Sequence, residues 1–242
     1  MKILAVIPAR GGSKGLKNKN IKNLCGHPLI AWTIKKAKQS KFIQKVVVST
    51  DSKKISEISK KYGASVPFFR PKKYATDKAN DFVVLKHALD FFKNKGENFD
   101  YIIMLQPTSP LRDLNDIDNS IKRVLKENIE ALVSVSKLDV HHPRFIYSIK
   151  NNDSLVPFLK KNKSSDVRRQ DLEPLYFLEG SIYISKIKSL IKHKTFYHNK
   201  TVAYKLPKWK SLEIDDIEDL NIAELYIKKK KINFINRITC YI

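Results

Sequence analysis

The residues best equipped for chemistry lie in two short stretches far apart in the chain. The first, "IPARGGSKGLKNKN" at residues 7–20, places Arg10, Lys14 and Lys19 around Gly11, Gly12, Ser13 and Gly15. Glycines let backbone N–H groups approach an anion closely, and the side chains supply positive charge. At ~4 Å and an effective dielectric near 20, one cation attracts one phosphate charge by about 4 kcal/mol before desolvation. Three such cations suit a triphosphate. The spacing fits neither G-x-x-x-x-G-K-[ST] nor G-x-G-x-x-G, and no helix follows Gly15 directly, so the loop must hold its anion unaided. A solvated loop with merely compositional lysines is the alternative; its place after an apolar run, at the carboxyl end of a strand, favours anion binding. The second stretch, "SLEIDDIEDL" at residues 211–220, sets Glu213 and Asp215 two apart. In an extended segment both carboxylates share one face, and Asp216 falls on the other. Such a pair offers the oxygen ligands that Mg2+ prefers, although acidic residues ahead of a helix also serve as ordinary caps.

These residues need a scaffold to bring them together. Residues 3–7, 46–49 and 101–105 are short apolar runs, the pattern of strands covered on both faces. Helical patterns separate them. Pro28 is expected as a first helical residue, residues 55–62 end at Gly63 as a C-terminal cap, and Leu85, Ala88, Leu89 and Phe92 recur at helical spacing. A fourth unit follows over residues 114–135. The alternation predicts an α/β fold of three layers, with a mostly parallel sheet between helices and ligands at the carboxyl ends of its strands. The rhythm breaks over 139–176, which is polar and reads as an insertion within a single domain spanning residues 1–242. Apolar alternation returns at residues 180–185 and 201–207, and a last helix is expected over 217–229.

Composition narrows the classes. With 242 residues, 42% of them apolar, the chain can bury one globular core. Its net charge of +23, from 47 basic and 24 acidic residues, invites a nucleic-acid reading. That reading is weak, because the excess is mostly lysine spread along the chain, with no helix-turn-helix, zinc-finger or RNP pattern. The densest run, 228–231, ends a predicted helix, where cations suit the dipole. No stretch approaches the ~20 apolar residues of a membrane helix, and the first residues lack a secretory cleavage pattern, so a soluble, cytoplasmic protein is expected. Cys25 and Cys240 lack metal-site spacing and suit a reducing compartment. His141 and His142 are adjacent, poorly placed to chelate one metal, and read as polar loop residues.

The loop together with "VVVSTDS", "FFRPKKYATDKAND", "LQPTSPLR", "RRQDLEP", "GSIYIS" and "SLEIDD" resembles, in the same order, the acylneuraminate cytidylyltransferases, which make CMP-sialic acid and related CMP-nonulosonates. The resemblance runs through nearly the whole chain and implies a nucleotidyltransferase-type sheet. It implies that Arg10, Gly11, Gly12, Ser13, Lys14 and Lys19 bind the phosphates of CTP, Asn20 the ribose, and Arg70 with the backbone near Ala79 the cytosine. Unaided, Thr76, Asn80 and Asp81 read as caps of the following helix. The sugar acid is implied at Gln106, with Ser109 and Arg112 as weaker candidates. Carboxylates beside a triphosphate would repel it, so Mg2+ or Mn2+ on Asp215, and with less certainty on Glu213, resolves the conflict. The family usually carries aspartate at both positions, and Glu213 departs from that. Segment 139–176 resembles the family's dimerisation segment, implying a homodimer in which Arg168 and Arg169 reach the sugar carboxylate of the other subunit. Glu179 stands where sialate enzymes usually carry asparagine.

The expected partners are therefore CTP and a nine-carbon sugar acid, with no nucleic acid and no membrane. The expected catalytic set is Arg10, Lys19 and Asp215. Three alternatives stay open at this point: a transferase for the eight-carbon acid Kdo, a basic nucleic-acid-binding protein, and a homologue that binds CTP without turnover.

Overall fold

The computed structural model describes residues 1–13, 15–138, 141–159 and 168–239. In chain order they form β1 (Ile3–Pro8), β2 (Asn23–Leu24), β3 (His27–Pro28), α1 (Leu29–Gln39), β4 (Lys45–Ser49), α2 (Lys53–Lys61), α3 (Asp81–Lys93), β5 (Tyr101–Met104), α4 (Leu114–Lys126) and β6 (Ala131–Lys137). There follow β7 (Tyr147–Ile149), β8 (Leu155–Pro157), β9 (Tyr176–Lys186), α5 (Ile187–His193), β10 (Thr201–Leu206) and α6 (Ile217–Thr239). One sheet of six strands runs in the order β10-β6-β9-β5-β1-β4. The pairs β1/β4, β1/β5 and β6/β10 are parallel, while β9 lies antiparallel between β5 and β6. The mostly parallel sheet expected from the apolar runs is present.

Strand alternation assigns the two faces. Ile3, Ala5 and Ile7 pack against Ile30 and Ile34 of α1, Ile55 of α2, and Ile117 and Ile121 of α4. Leu4 and Val6 point the other way, onto Leu85, Leu89 and Phe92 of α3 and Leu190 beyond β9. Helix layers therefore cover both faces. Each fully buried Leu or Ile contributes about 1.5–3 kcal/mol. A third cluster, Leu16, Leu24, Leu29, Leu111, Ile214, Leu220, Ala223 and Ile227, packs α6 over the glycine loop and the loop after β5. That cluster gathers the separate functional stretches at one end of the sheet.

Local chemistry sets the boundaries. Asn80 caps α3 by accepting from the Val83 N–H at 3.1 Å, and Asp113 and Asp116 form a reciprocal capping box at the start of α4. Gly63 follows α2 with φ +89°, a conformation natural to glycine. Pro28 corrects one expectation: it pairs with Asn23 in the β2–β3 hairpin with ψ 141°, so it is extended and the helix opens at Leu29. Within 139–176, residues 147–157 form the β7–β8 hairpin, and β9 begins at Tyr176, earlier than the apolar alternation indicated. The last helix runs to Thr239, well past the expected 229. Among the described residues no helix is long and apolar enough to cross a membrane.

Candidate active site

A cavity of about 580 Å³ opens at the carboxyl ends of β1 and β5. Its wall takes Arg10, Ser13, Gly15, Lys19 and Asn20 from the glycine loop, and Arg70, Tyr74, Asp77, Ala79 and Asp81 from the segment leading into α3. Gln106, Thr108, Glu213 and Asp215 complete it. The two stretches that the sequence separates therefore face one space. Lys14 lies outside the described residues. Gly11 and Gly12 belong to the same loop, where the Gly11 N–H donates to Asp51 Oδ1 at 2.8 Å.

Ion pairs cross this space. Lys19 Nζ lies 2.8 Å from Asp215 Oδ1, joining residues 196 positions apart. Arg10 Nη1 lies 2.6 Å from Asp77 Oδ1. Both pairs hold cations that a polyphosphate would claim. Asn20 is buried, and its Nδ2 donates to the Arg10 carbonyl at 3.0 Å, so its amide braces the loop that carries Arg10. Gly15 passes so close to the acidic segment that a Cβ there would lie 2.7 Å from the Asp215 carbonyl oxygen. Any larger residue would push the loop and the carboxylates apart.

The segment into α3 supplies a rigid wall. Arg70 is buried, with Nε donating to Ser49 Oγ at 3.1 Å and Nη2 to the Ser49 carbonyl. Burial lowers its pKa to about 10 against the pull of Asp51, with Arg10 lowering it further and Asp81 opposing. It remains a cation at neutral pH. Asp81 lines the cavity, and burial there pushes its carboxyl up, with Arg70 opposing. The Ala79 N–H closes a turn onto the Thr76 carbonyl at 3.2 Å.

The acidic segment lies outside any strand or helix, and Asp216 serves α6. The Asp219 N–H donates to Asp216 Oδ1 at 2.9 Å, and the Asp216 N–H returns to Asp219 Oδ2 at 3.3 Å. Asp215 is left for the cavity, its side chain 76% exposed. Glu213 rests on Gly180, where a Cβ would lie 1.4 Å from Glu213 Oε1. Burial, then the charges of Asp215 and Glu179, push the Glu213 pKa up to about 7, opposed by Lys19. Two carboxylates crowded beside a single opposing cation form a donor set of hard oxygens, which a divalent cation would satisfy.

Behind this wall lies a buried polar layer. Arg112 is 2% exposed, and its guanidinium donates to the Ser181 carbonyl at 2.6 Å and to Thr33 Oγ1 at 2.7 Å. Glu179 is equally buried, accepts from the Ser181 hydroxyl, and has its carboxyl pushed up by burial against Ser134, Ser181 and Arg112. Ser109 is fully buried with its hydroxyl unpartnered. The cavity wall includes Gln106 but none of these three. They support the loop after β5 and the bulged part of β9 instead of facing the open space. Arg168 is exposed, and the side chain of Arg169 lies outside the described residues.

Several contributors were not singled out from sequence. Asp77 holds Arg10, Asp51 holds Gly11, and Gly180 seats Glu213. Lys210 is buried, with Nζ 2.8 Å from Asp113 Oδ2 and 2.7 Å from both oxygens of Asp116. Burial alone would lower its pKa, but these carboxylates raise it, so it stays charged. A lysine placed just ahead of an acidic pair was the available signal. At the opposite end of the sheet, Glu130, His193 and His198 gather. The His193 and His198 imidazoles stack with centroids 4.2 Å apart and 17° between planes. Lys200 and Ser189 already hold Glu130. His142 caps a short turn, accepting from the Arg144 N–H at 3.2 Å.

The chain is similar to known proteins in both sequence and fold. The cytidylyltransferase family profile matches residues 4–232. The chain is 37% identical over 231 residues to an N-acylneuraminate cytidylyltransferase of Escherichia coli O18:K1:H7, across 95% of this chain and 53% of that protein. It thus spans about half the length of that relative. It is 41% identical over 202 residues to a CMP-N,N'-diacetyllegionaminic acid synthase of Legionella pneumophila, across 83% of this chain and 85% of that one. In fold it is similar to a CMP:2-keto-3-deoxy-manno-octonic acid synthetase complexed with CTP, with TM-score 0.70 over 95% of this chain and all of that one, at 14% identity.

Proposed function

The chain belongs to the cytidylyltransferase family, and from that premise we propose that it transfers CMP from CTP to the anomeric hydroxyl of a nine-carbon α-keto sugar acid of the sialic or legionaminic type. The observation that carries this reading is the meeting of Lys19 with Asp215 across the cavity, phosphate-binding loop against acidic segment. The names of the relatives support the substrate class.

The sugar hydroxyl attacks the α-phosphorus, the bond to the β-phosphate breaks in line, and pyrophosphate leaves while the hydroxyl proton passes to water. Arg10 and Lys19 exchange their carboxylate partners for phosphate oxygens and hold the leaving group. Arg70, clamped to Ser49, gives the cytosine end a wall that does not move. Gln106 orients the sugar acid, and its own side-chain oxygen is steadied by Thr108 Oγ1 at 3.4 Å. Asp215 with Glu213 would hold Mg2+, which when bound screens phosphate charge and polarises the attacking hydroxyl. Most of the acceleration then comes from positioning and charge.

A homodimer belongs to the same proposal. Ile149, Leu155 and Phe158 of the hairpin region and Leu178 of β9 are exposed apolar residues, an expensive surface to leave in water.

The test is pyrophosphate release from CTP with N-acetylneuraminate, legionaminate and related acids in Mg2+, alongside Lys19→Ala and Asp215→Ala. Release by the native chain and its loss in both variants is the expected outcome. No release with any acid from folded protein would overturn the reading.

A further inference from the structure

We infer that Lys210 is a positioning residue that sets the angle at which Glu213 and Asp215 enter the cavity; this rests on the transfer reading above. The segment 210–215 lies alongside the loop after β5, and two contacts join them. At one end the Ile214 N–H donates to the Thr108 carbonyl at 2.8 Å. At the other, Lys210 Nζ reaches Asp113 and Asp116 at 2.7–2.8 Å. As one strand's number rises the other's falls, so the contacts act as two rungs of a short antiparallel staple. Glu213 lies between the rungs, and Asp215 lies just beyond Ile214.

Ile214 is wholly buried in the cluster under α6 and serves as a pivot. With one rung the segment can still turn about that pivot, and its alternating residues swing with it. With two it cannot. A rotation there would move Asp215 away from Lys19 and lift Glu213 from its seat on Gly180, where the fit has no slack.

The choice of residue supports a role in registry. A buried ammonium between two carboxylates is a poor source of net stability compared with an apolar residue of similar size, and its best-attested use is to select one arrangement among several. Here the carboxylates it meets are also the capping box of α4. That helix starts immediately after the loop that carries Gln106. One side chain thus ties the acidic segment to the part of the wall assigned to the sugar acid.

Two variants test this: Lys210→Met, and Lys210→Met combined with Asp116→Asn, which removes one of the negative charges that the Lys210 ammonium offsets. Steady-state kinetics with CTP is measured together with site-resolved amide exchange. In the folded double variant, kcat is expected to fall by about tenfold or more while KM for CTP stays within about twofold. The Ile214 amide is expected to exchange about tenfold faster while amides of α3 keep their protection. Unchanged kcat, an unchanged Ile214 amide, or protection lost evenly across sheet and helices would overturn the inference. A double variant that does not fold would also overturn it, since Lys210 would then hold the fold and not the segment. If the native chain releases no pyrophosphate, the fault lies with the transfer reading, and the exchange comparison alone decides the role of Lys210.

Discussion

Gly180 shows how little room the chemistry has. An alanine there would have to hold φ +69° and place its Cβ 1.4 Å from Glu213 Oε1. The left-handed backbone alone costs about 1–2 kcal/mol for a residue with a Cβ. Gly180→Ala is therefore expected to lower stability by about that amount or more and to slow turnover by about tenfold or more as Glu213 is displaced. Denaturant unfolding and steady-state rates on one preparation check both parts, and an unchanged rate would remove Glu213 from the machinery. Lys19 is a simpler case. Its charge-assisted bond to a phosphate is worth about 1.5–3 kcal/mol, so Lys19→Met should weaken CTP binding by about 10- to 150-fold, measured by calorimetry.

Among the elements, α3 links the nucleotide wall to the sheet, and His87 is its vulnerable point. Its ring meets Phe68 edge-on at 4.7 Å and Tyr74 at 5.8 Å, and its Nδ1 is buried without a partner. Burial, then Arg70, lower its pKa from 6.5, with Asp90 opposing and Lys73 adding to the fall. The unfolded chain then takes up a proton near pH 6.5 that the folded chain refuses. The resulting stability is present above that pH and is lost as pH falls from about 6.5 toward the lower folded value. His87→Phe should flatten this part of the stability profile, read by thermal melts between pH 5 and 8. Much at this scale was legible in advance. Parallel strands buried on both faces leave apolar runs, and caps such as Asn80 and Gly63 leave local signatures. The direction of β9 left none, because period-two alternation is the same either way along a strand. For the site, charge type marked Arg10, Lys19 and Asp215. The roles of Asp77, Gly180 and Lys210 depend on partners distant in the chain, and so does the burial of Arg112, whose guanidinium meets Ser181 and Thr33.

At the scale of the molecule, a net charge of +23 sets the conditions for self-association. Two such chains repel each other over a screening length of about 10 Å at 0.1 M salt. The proposed dimer, driven by apolar burial at the hairpin, should therefore tighten as salt rises, opposite to a contact made by ion pairs. Sedimentation at low and moderate ionic strength checks this. Leu155→Lys with Phe158→Lys, both exposed in the single chain, should shift the protein to monomer. A dimer that weakens with salt, or one indifferent to both substitutions, would place the interface elsewhere.

Strand β9 has a further consequence for the order in which the protein can be made. Among the described residues it alone joins β5 to β6 in the sheet, yet it is translated after both. Until about residue 186 has left the ribosome, β4-β1-β5 can exist only as one growing half, with the edge of β5 unpaired, and β6 must wait with both its edges open, since its other neighbour β10 follows β9 in the chain. Newborn chains thus pass through a stage with unpaired strand edges on β5 and β6, and its length is set by the time needed to synthesise the polar stretch between β6 and β9. Slow codons within that stretch would prolong exposure and favour aggregation, whereas rapid passage would let the late strand close the seam.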